Sequence, residues 1–162
     1  MKRALVIALA VLGLGCASEG PDIEPEALLE LGTGTARFEP VFDGDELPMI
    51  RGAQGGWHVW VSVRVEGMNV DLASLTLEHQ PADESEPAQI TSSGAMFDPA
   101  DSEGRRSSLG WAAIFSDPAC SVGRLHRVRA TVTTATGERI SVEREIMPTS
   151  GTLPPPACEH AD

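Results

Sequence analysis

Residues Gly55 to Gly67 read Gly-Gly-Trp-His-Val-Trp-Val-Ser-Val-Arg-Val-Glu-Gly, and no other stretch limits the fold so tightly. Val59, Val61, Val63 and Val65 fall on one side of a period-2 strand. His58, Trp60, Ser62, Arg64 and Glu66 fall on the other side. A β-branched residue at every second position suits a pleated surface with one face in a core. The stretch is therefore expected to be the central strand of an all-β domain.

The rest of the chain supplies further strands. Arg37 to Phe42 is expected to be an edge strand, with Phe38, Pro40 and Phe42 in phase and a proline that only an edge tolerates. Asp43-Gly44-Asp45 is a turn, and Glu46 to Arg51 a short strand. Val70 to His79 places Ala73, Leu75 and Leu77 on one face. Gln80 to Ser108 is rich in Pro, Ser, Asp and Glu. It is expected to hold short strands at Ala88 to Ser92 and Ala95 to Phe97, with loops around them. Leu109 to Phe115 is expected to align Leu109, Trp111, Ala113 and Phe115.

Two patterns agree on the last hairpin. His126, Val128, Ala130 and Val132 alternate, as do Ile140, Val142 and Ile146. A loop of Ala135-Thr136-Gly137, with glycine at the left-handed position, pairs Val132 with Ile140 and Ala130 with Val142. The same register sets Arg129 opposite Glu143 and Arg127 opposite Glu145. Arg144 falls in the apolar phase, so it either sits at the rim or is turned outward by a bulge. The expected fold is an all-β sandwich of about seven or eight antiparallel strands spanning 35–148. Its size and closing hairpin resemble immunoglobulin-like and fibronectin-type domains in architecture, although the chain has no tyrosine for a tyrosine corner.

The N-terminus has a different character. Lys2 and Arg3 precede an uncharged run from Ala4 to Leu14, ending at Gly15-Cys16. A basic start, a short apolar run and small residues at its end make a secretory signal. The run is too short to span a bilayer core, which takes about 20 helical residues. Leu12-Gly13-Leu14-Gly15-Cys16 resembles the lipobox of bacterial lipoproteins, although Gly13 and Leu14 stand where that family has Leu and a small residue. The resemblance implies removal of 1–15 and acylation of Cys16. With Ala17 next, it implies an exported protein anchored in the cell envelope, at the outer membrane. Two or three acyl chains hold a protein stably on a membrane. Residues 16–34, with Glu19, Asp22, Glu24, Glu26 and Glu30, read as an acidic tether, with one helical turn at most over Glu26 to Leu31.

Cys120 and Cys158 are then an even pair in an exported chain and are expected to form a disulfide that ties back the Pro-rich tail, 149–162. The net charge is −12, and every basic residue after Lys2 is Arg. Such a balance excludes nucleic acid as a partner, because phosphate binding needs clustered bases. The expected partners are the membrane, through the lipid, and another envelope protein.

Catalytic spacing is absent from the sequence, and no catalytic residue, metal ligand or cofactor is assigned. Asp43-Gly-Asp45-Glu46 lacks the longer ligand set of a calcium loop. The residues worth testing as ligand contacts are Gln54, His58, Trp60 and Arg64, at and after the glycine-rich loop Gly52 to Gly56. His58 beside Met49 and Met68 would suit a metal; its plain structural role is a hydrogen bond to a loop carbonyl. An exposed Trp60 beside Arg64 would suit a sugar or protein contact. Phe38-x-Pro-x-x-Asp-Gly-Asp, followed by Arg-Gly-x-Gln-Gly-Gly-x-His-x-Trp, is similar to a pattern in predicted lipoproteins of myxobacteria and related high-GC bacteria, a group to which no activity attaches. The expected function is therefore a non-enzymatic, lipid-anchored envelope protein with a binding or scaffold role. A module for carbohydrate or surface polymer is the alternative, and a metal-binding protein centred on His58 the weaker one.

Overall fold

A computed structural model describes residues 27–152 together with Pro155, Ala157 and Cys158. Cys16 and the expected signal, 1–15, lie outside the described residues, as do most of the expected acidic tether and His160. The fold is all-β and sandwich-like, as the alternating patterns require. Its strands are β1 Leu28–Thr33, β2 Glu39–Pro40, β3 Asp45–Arg51, β4 Trp57–Glu66, β5 Leu72–Pro81, β6 Gln89–Met96, β7 Arg106–Phe115, β8 His126–Thr134 and β9 Arg139–Ser150. One short helix, α1 Pro118–Ser121, joins β7 to β8. No helix among the described residues is long and apolar enough to cross a membrane.

β4 is the centre of its layer. One edge pairs with β7 along its length. The other edge is shared: β1 pairs antiparallel with the second half of β4, and β3 with its first two residues. β3 then leaves β4 and pairs parallel with β9, which carries the sheet into the second layer, β9-β8-β5-β6. This one parallel pairing departs from an all-antiparallel expectation. It joins Asp45–Met49 to Ile146–Ser150, segments far apart in sequence, so no tight turn forces them antiparallel.

Val59, Val61, Val63 and Val65 are almost fully buried, as their phase demands. Burial of each such side chain contributes about 1.5–2 kcal/mol before chain entropy is set against it. Across the sandwich they share one core with Leu75, Leu77, Val128, Ala130 and Val132. The closing hairpin has the expected register: Val132 opposite Ile140, Ala130 opposite Val142, Arg129 opposite Glu143 and Arg127 opposite Glu145. Gly137 has φ 88° in its turn. Arg144 lies half-buried opposite Val128 in an unbroken register, so the rim placement holds and no bulge is needed.

Several elements depart from expectation. Leu28–Thr33 is a strand and not part of a tether, and it forms no helical turn. Leu29 and Leu31 join the core, which is worth more than the marginal helix propensity of six residues. The expected strand at Arg37 to Phe42 shrinks to Glu39–Pro40 on β1, and Phe42 is exposed. Two expected short strands are one, β6, paired with β5 over its full length. β9 runs past Pro148 to Ser150, because those residues pair with β3.

β7 carries a bulge. Val61 pairs with Trp111 but Val63 with Ser108, so Leu109 and Gly110 oppose the single residue Ser62. The bulge shifts the phase by one. Ser108, not Leu109, falls in the buried row with Ala113 and Phe115. Gly110 has φ 73°, which a side chain rarely adopts.

Cys120 and Cys158 form the expected disulfide, with Cα atoms 4.8 Å apart. Asp117 caps α1 by accepting a hydrogen bond from the Cys120 N–H, so the helix holds Cys120 in place for the tail.

Candidate functional site: the glycine loop and the outer face of β4

The outer face of β4 is largely covered too. Ser62 is fully buried, donates its hydroxyl to the Gly34 carbonyl and accepts from the Gly110 N–H. Phe38 lies over Gly32, where a Cβ would meet its ring at 2.5 Å. Arg64 then stacks on Phe38, 4.3 Å from the ring centre, and pairs with Glu30. Arg64 is thereby engaged within the domain, by β1 and the segment that follows it.

The glycine loop leaves β3 and returns into β4. Gly52 N–H donates to the Gly56 carbonyl and Gly55 N–H to the Gly52 carbonyl, which closes a tight turn. Beside it lies a shallow pocket of about 310 Å³ lined by Gly52, Gln54, His58, Ala112 and Ile114 among others. The pocket exists because Ala112 is small opposite Trp60 and because Gly52 has no side chain near the His58 ring.

Two of the four expected contact residues, Gln54 and His58, meet at this pocket. Gln54 is exposed, while His58 is 7% exposed. The His58 ring meets the edge of Trp60 at 4.3 Å. Its Nε2 is buried without a partner among the described residues, so that atom forms no hydrogen bond to a loop carbonyl. Burial pushes the His58 pKa below the ordinary histidine value and keeps the ring neutral. Trp60 is half-buried and, with Arg64, lies outside the pocket wall. Met49 and Met68 are buried in the common core. Among the described residues, no group of three His, Cys, Asp or Glu side chains is arranged to hold a metal ion.

A second histidine cluster was not singled out in the sequence. His79 and His126 sit at one end of the core, their ring centres 6.1 Å apart, with Phe115 at 4.5 Å from the first and 5.0 Å from the second. His79 Nε2–H donates to the Ile114 carbonyl. Its Nδ1 and both nitrogens of His126 are buried and unpartnered among the described residues. Burial lowers the pKa of both, against the Ile114 hydrogen bond in the case of His79. His126 falls to about 4, through burial first and then repulsion from His79 and Arg124. Both rings are neutral packing groups near neutral pH. The signal was present: His126 shares the phase of Val128, Ala130 and Val132, and His79 that of Leu75 and Leu77.

A scan of known protein-family models and a search of curated proteins find no match to this chain.

Proposed function

We propose that the chain is an exported, lipid-anchored protein of the bacterial cell envelope whose sandwich binds another envelope protein and carries out no chemistry of its own. The observation that carries this reading is the Cys120–Cys158 disulfide. Such a bond belongs to an oxidising compartment. Its formation leaves Cys16, at the end of the short apolar run, as the single remaining cysteine. The fate of the histidines supports the non-enzymatic part. His79 and His126 are packed against Phe115 with their nitrogens buried or bonded within the core, and His58 packs on Trp60 with its Nε2 buried. General acid–base work needs a nitrogen within reach of a substrate proton.

Palmitate labelling of the wild type and of Cys16→Ala tests the anchor. Label on the wild type alone is the expected result, and equal labelling of both contradicts it. Cross-linking and co-purification from native membranes test the partner; recovery of the chain alone contradicts that half.

The pocket at Gln54 and His58 favours a second reading, a small neutral ligand. A buried imidazole beside an amide and an apolar wall suits hydroxyl groups better than ions. Trp60 offers no open ring face in that wall, which weighs against the stacking that sugar recognition commonly uses.

A further inference from the structure

β6 reads Gln-Ile-Thr-Ser-Ser-Gly-Ala-Met, without a charge or a proline, and pairs with β5 over all eight residues without a register shift. Charges, prolines and bulges are the usual protections of a sheet edge, and β6 has none of them. Ile90 and Met96 are 64% and 77% exposed, and every residue from Ile90 to Gly94 is exposed.

The direction of its free backbone groups follows from one bond. Phe97 N–H donates to the Asp71 carbonyl, and Leu72 is opposite Met96. In an antiparallel ladder the residues that exchange bonds alternate with those that do not. Thr91, Ser93 and Ala95 therefore bond to β5, while Ile90, Ser92, Gly94 and Met96 turn their N–H and C=O groups outward. Across from them lies β7, whose only strand partner among the described residues is β4. The two edges touch at their ends. Asp98 N–H donates to the Ser107 carbonyl at one, and the Gln89 side chain accepts from Ser116 N–H at the other. Between these ends no strand pairing joins β6 to β7. A cleft of about 720 Å³ opens beside β6, lined by Met96, Phe97, Leu109 and Trp111 among others.

We infer that β6 is a strand-addition site for an extended segment of another protein, a segment with apolar residues at alternate positions and Arg or Lys at its flanks. The inference rests on the partner-binding reading above and gives that partner a place and a chemistry. Main-chain bonds to Ile90, Ser92, Gly94 and Met96 supply the attachment, and the Trp111 cleft receives one apolar side chain. Charge selects the occupant. The chain carries −12, and Asp98 stands at the end of the strand, outside any ion pair among the described residues. A second copy brings the same charge to the contact, and residues 17–26 of this chain, with Glu19, Asp22, Glu24 and Glu26, are acidic as well. A basic-flanked segment meets the opposite field.

The test selects random displayed peptides on the full, disulfide-bonded chain. Ser92→Pro removes one outward N–H, and Met96→Lys adds an edge charge in case the proline variant fails to fold. The expected peptides alternate apolar residues, carry more Arg and Lys than Asp and Glu, and bind either variant about tenfold or more weakly. Peptides that bind the wild type and both variants equally overturn the site. Enriched acidic peptides, or a dimer of the wild type that Met96→Lys dissociates in sedimentation, overturn the occupant. The two levels separate in native membranes. A cross-linked partner retained by Met96→Lys refutes this site and leaves the partner-binding reading standing, whereas the absence of any partner refutes that reading.

Discussion

β4 and β6 are both long strands in antiparallel register, yet β4 is buried on one face and largely covered on the other, while β6 is bare from Ile90 to Gly94. β4 holds its place by its own side chains: four buried valines inward, Ser62 and His58 buried outward. β6 is held by its neighbour. Leu75 and Leu77 of β5 face the core, and β6 takes its register from their strand, with only Ala95 buried. A valine-rich strand specifies a fold, and a Ser/Thr-rich strand laid on its edge leaves a backbone free for something else.

The sharpest way to break this comparison is a charge on each strand. Val61→Asp buries an unpaired carboxylate among valines, and loss of more than about 4 kcal/mol is expected, enough to unfold the domain. Ser92→Asp on β6 should change stability by less than about 0.5 kcal/mol. Urea melts followed by circular dichroism measure both. Similar losses at the two sites would show that β6 is covered.

Next in size is the disulfide. Cys120→Ser with Cys158→Ser frees the tail, and the separation of 38 residues predicts a loss of about 3–4 kcal/mol in the same melts. That loss should fall on β9 and α1, at the far side of the second layer from β6. A midpoint unchanged by the double variant would mean that the tail contributes nothing to the fold.

Acid tests the end of the core. The unfolded chain protonates His126 below about pH 6.5, and the folded chain only near about pH 4. Between those values the unfolded state binds more protons, so stability falls as pH falls. His126 should account for about 2–3 kcal/mol of that loss. His79, also lowered, acts in the same direction. Arg124 adds repulsion to a protonated His126, and Asp83 opposes it. His126→Leu should flatten the profile between pH 6.5 and 4, read as urea midpoints at each pH; an unchanged slope would refute the assignment.

What could be read from the residues follows the same division. β4 and the closing hairpin were legible because each side chain's phase decides its face, and in the hairpin two patterns, apolar and ionic, fix one register. β1 was hidden because Glu26 to Leu31 has helical spacing and follows an acidic run, while its strand form depends on β4 as a partner. β6 was legible only as two short strands, because Ser93 and Gly94 between them have no apolar phase to read. The bulge at Leu109 and Gly110 moved Ser108 into the buried row, and only the register of β4 against β7 reveals it. Of the four contact residues, Gln54 and His58 meet at one pocket because a turn joins them. Arg64 is held instead by Phe38 and by Glu30 of β1, which no local pattern relates to β4.

Amide hydrogen exchange on the full chain near neutral pH tests the central claim, an unpaired outward edge on β6. Amides of Val59, Val61, Val63 and Val65 should exchange only through global unfolding. On β6 the protection should alternate: Thr91, Ser93 and Ala95 slow, and Ile90, Ser92, Gly94 and Met96 about a hundredfold faster or more. Uniform protection along Gln89 to Met96 would mean that the edge is already occupied and would contradict the account.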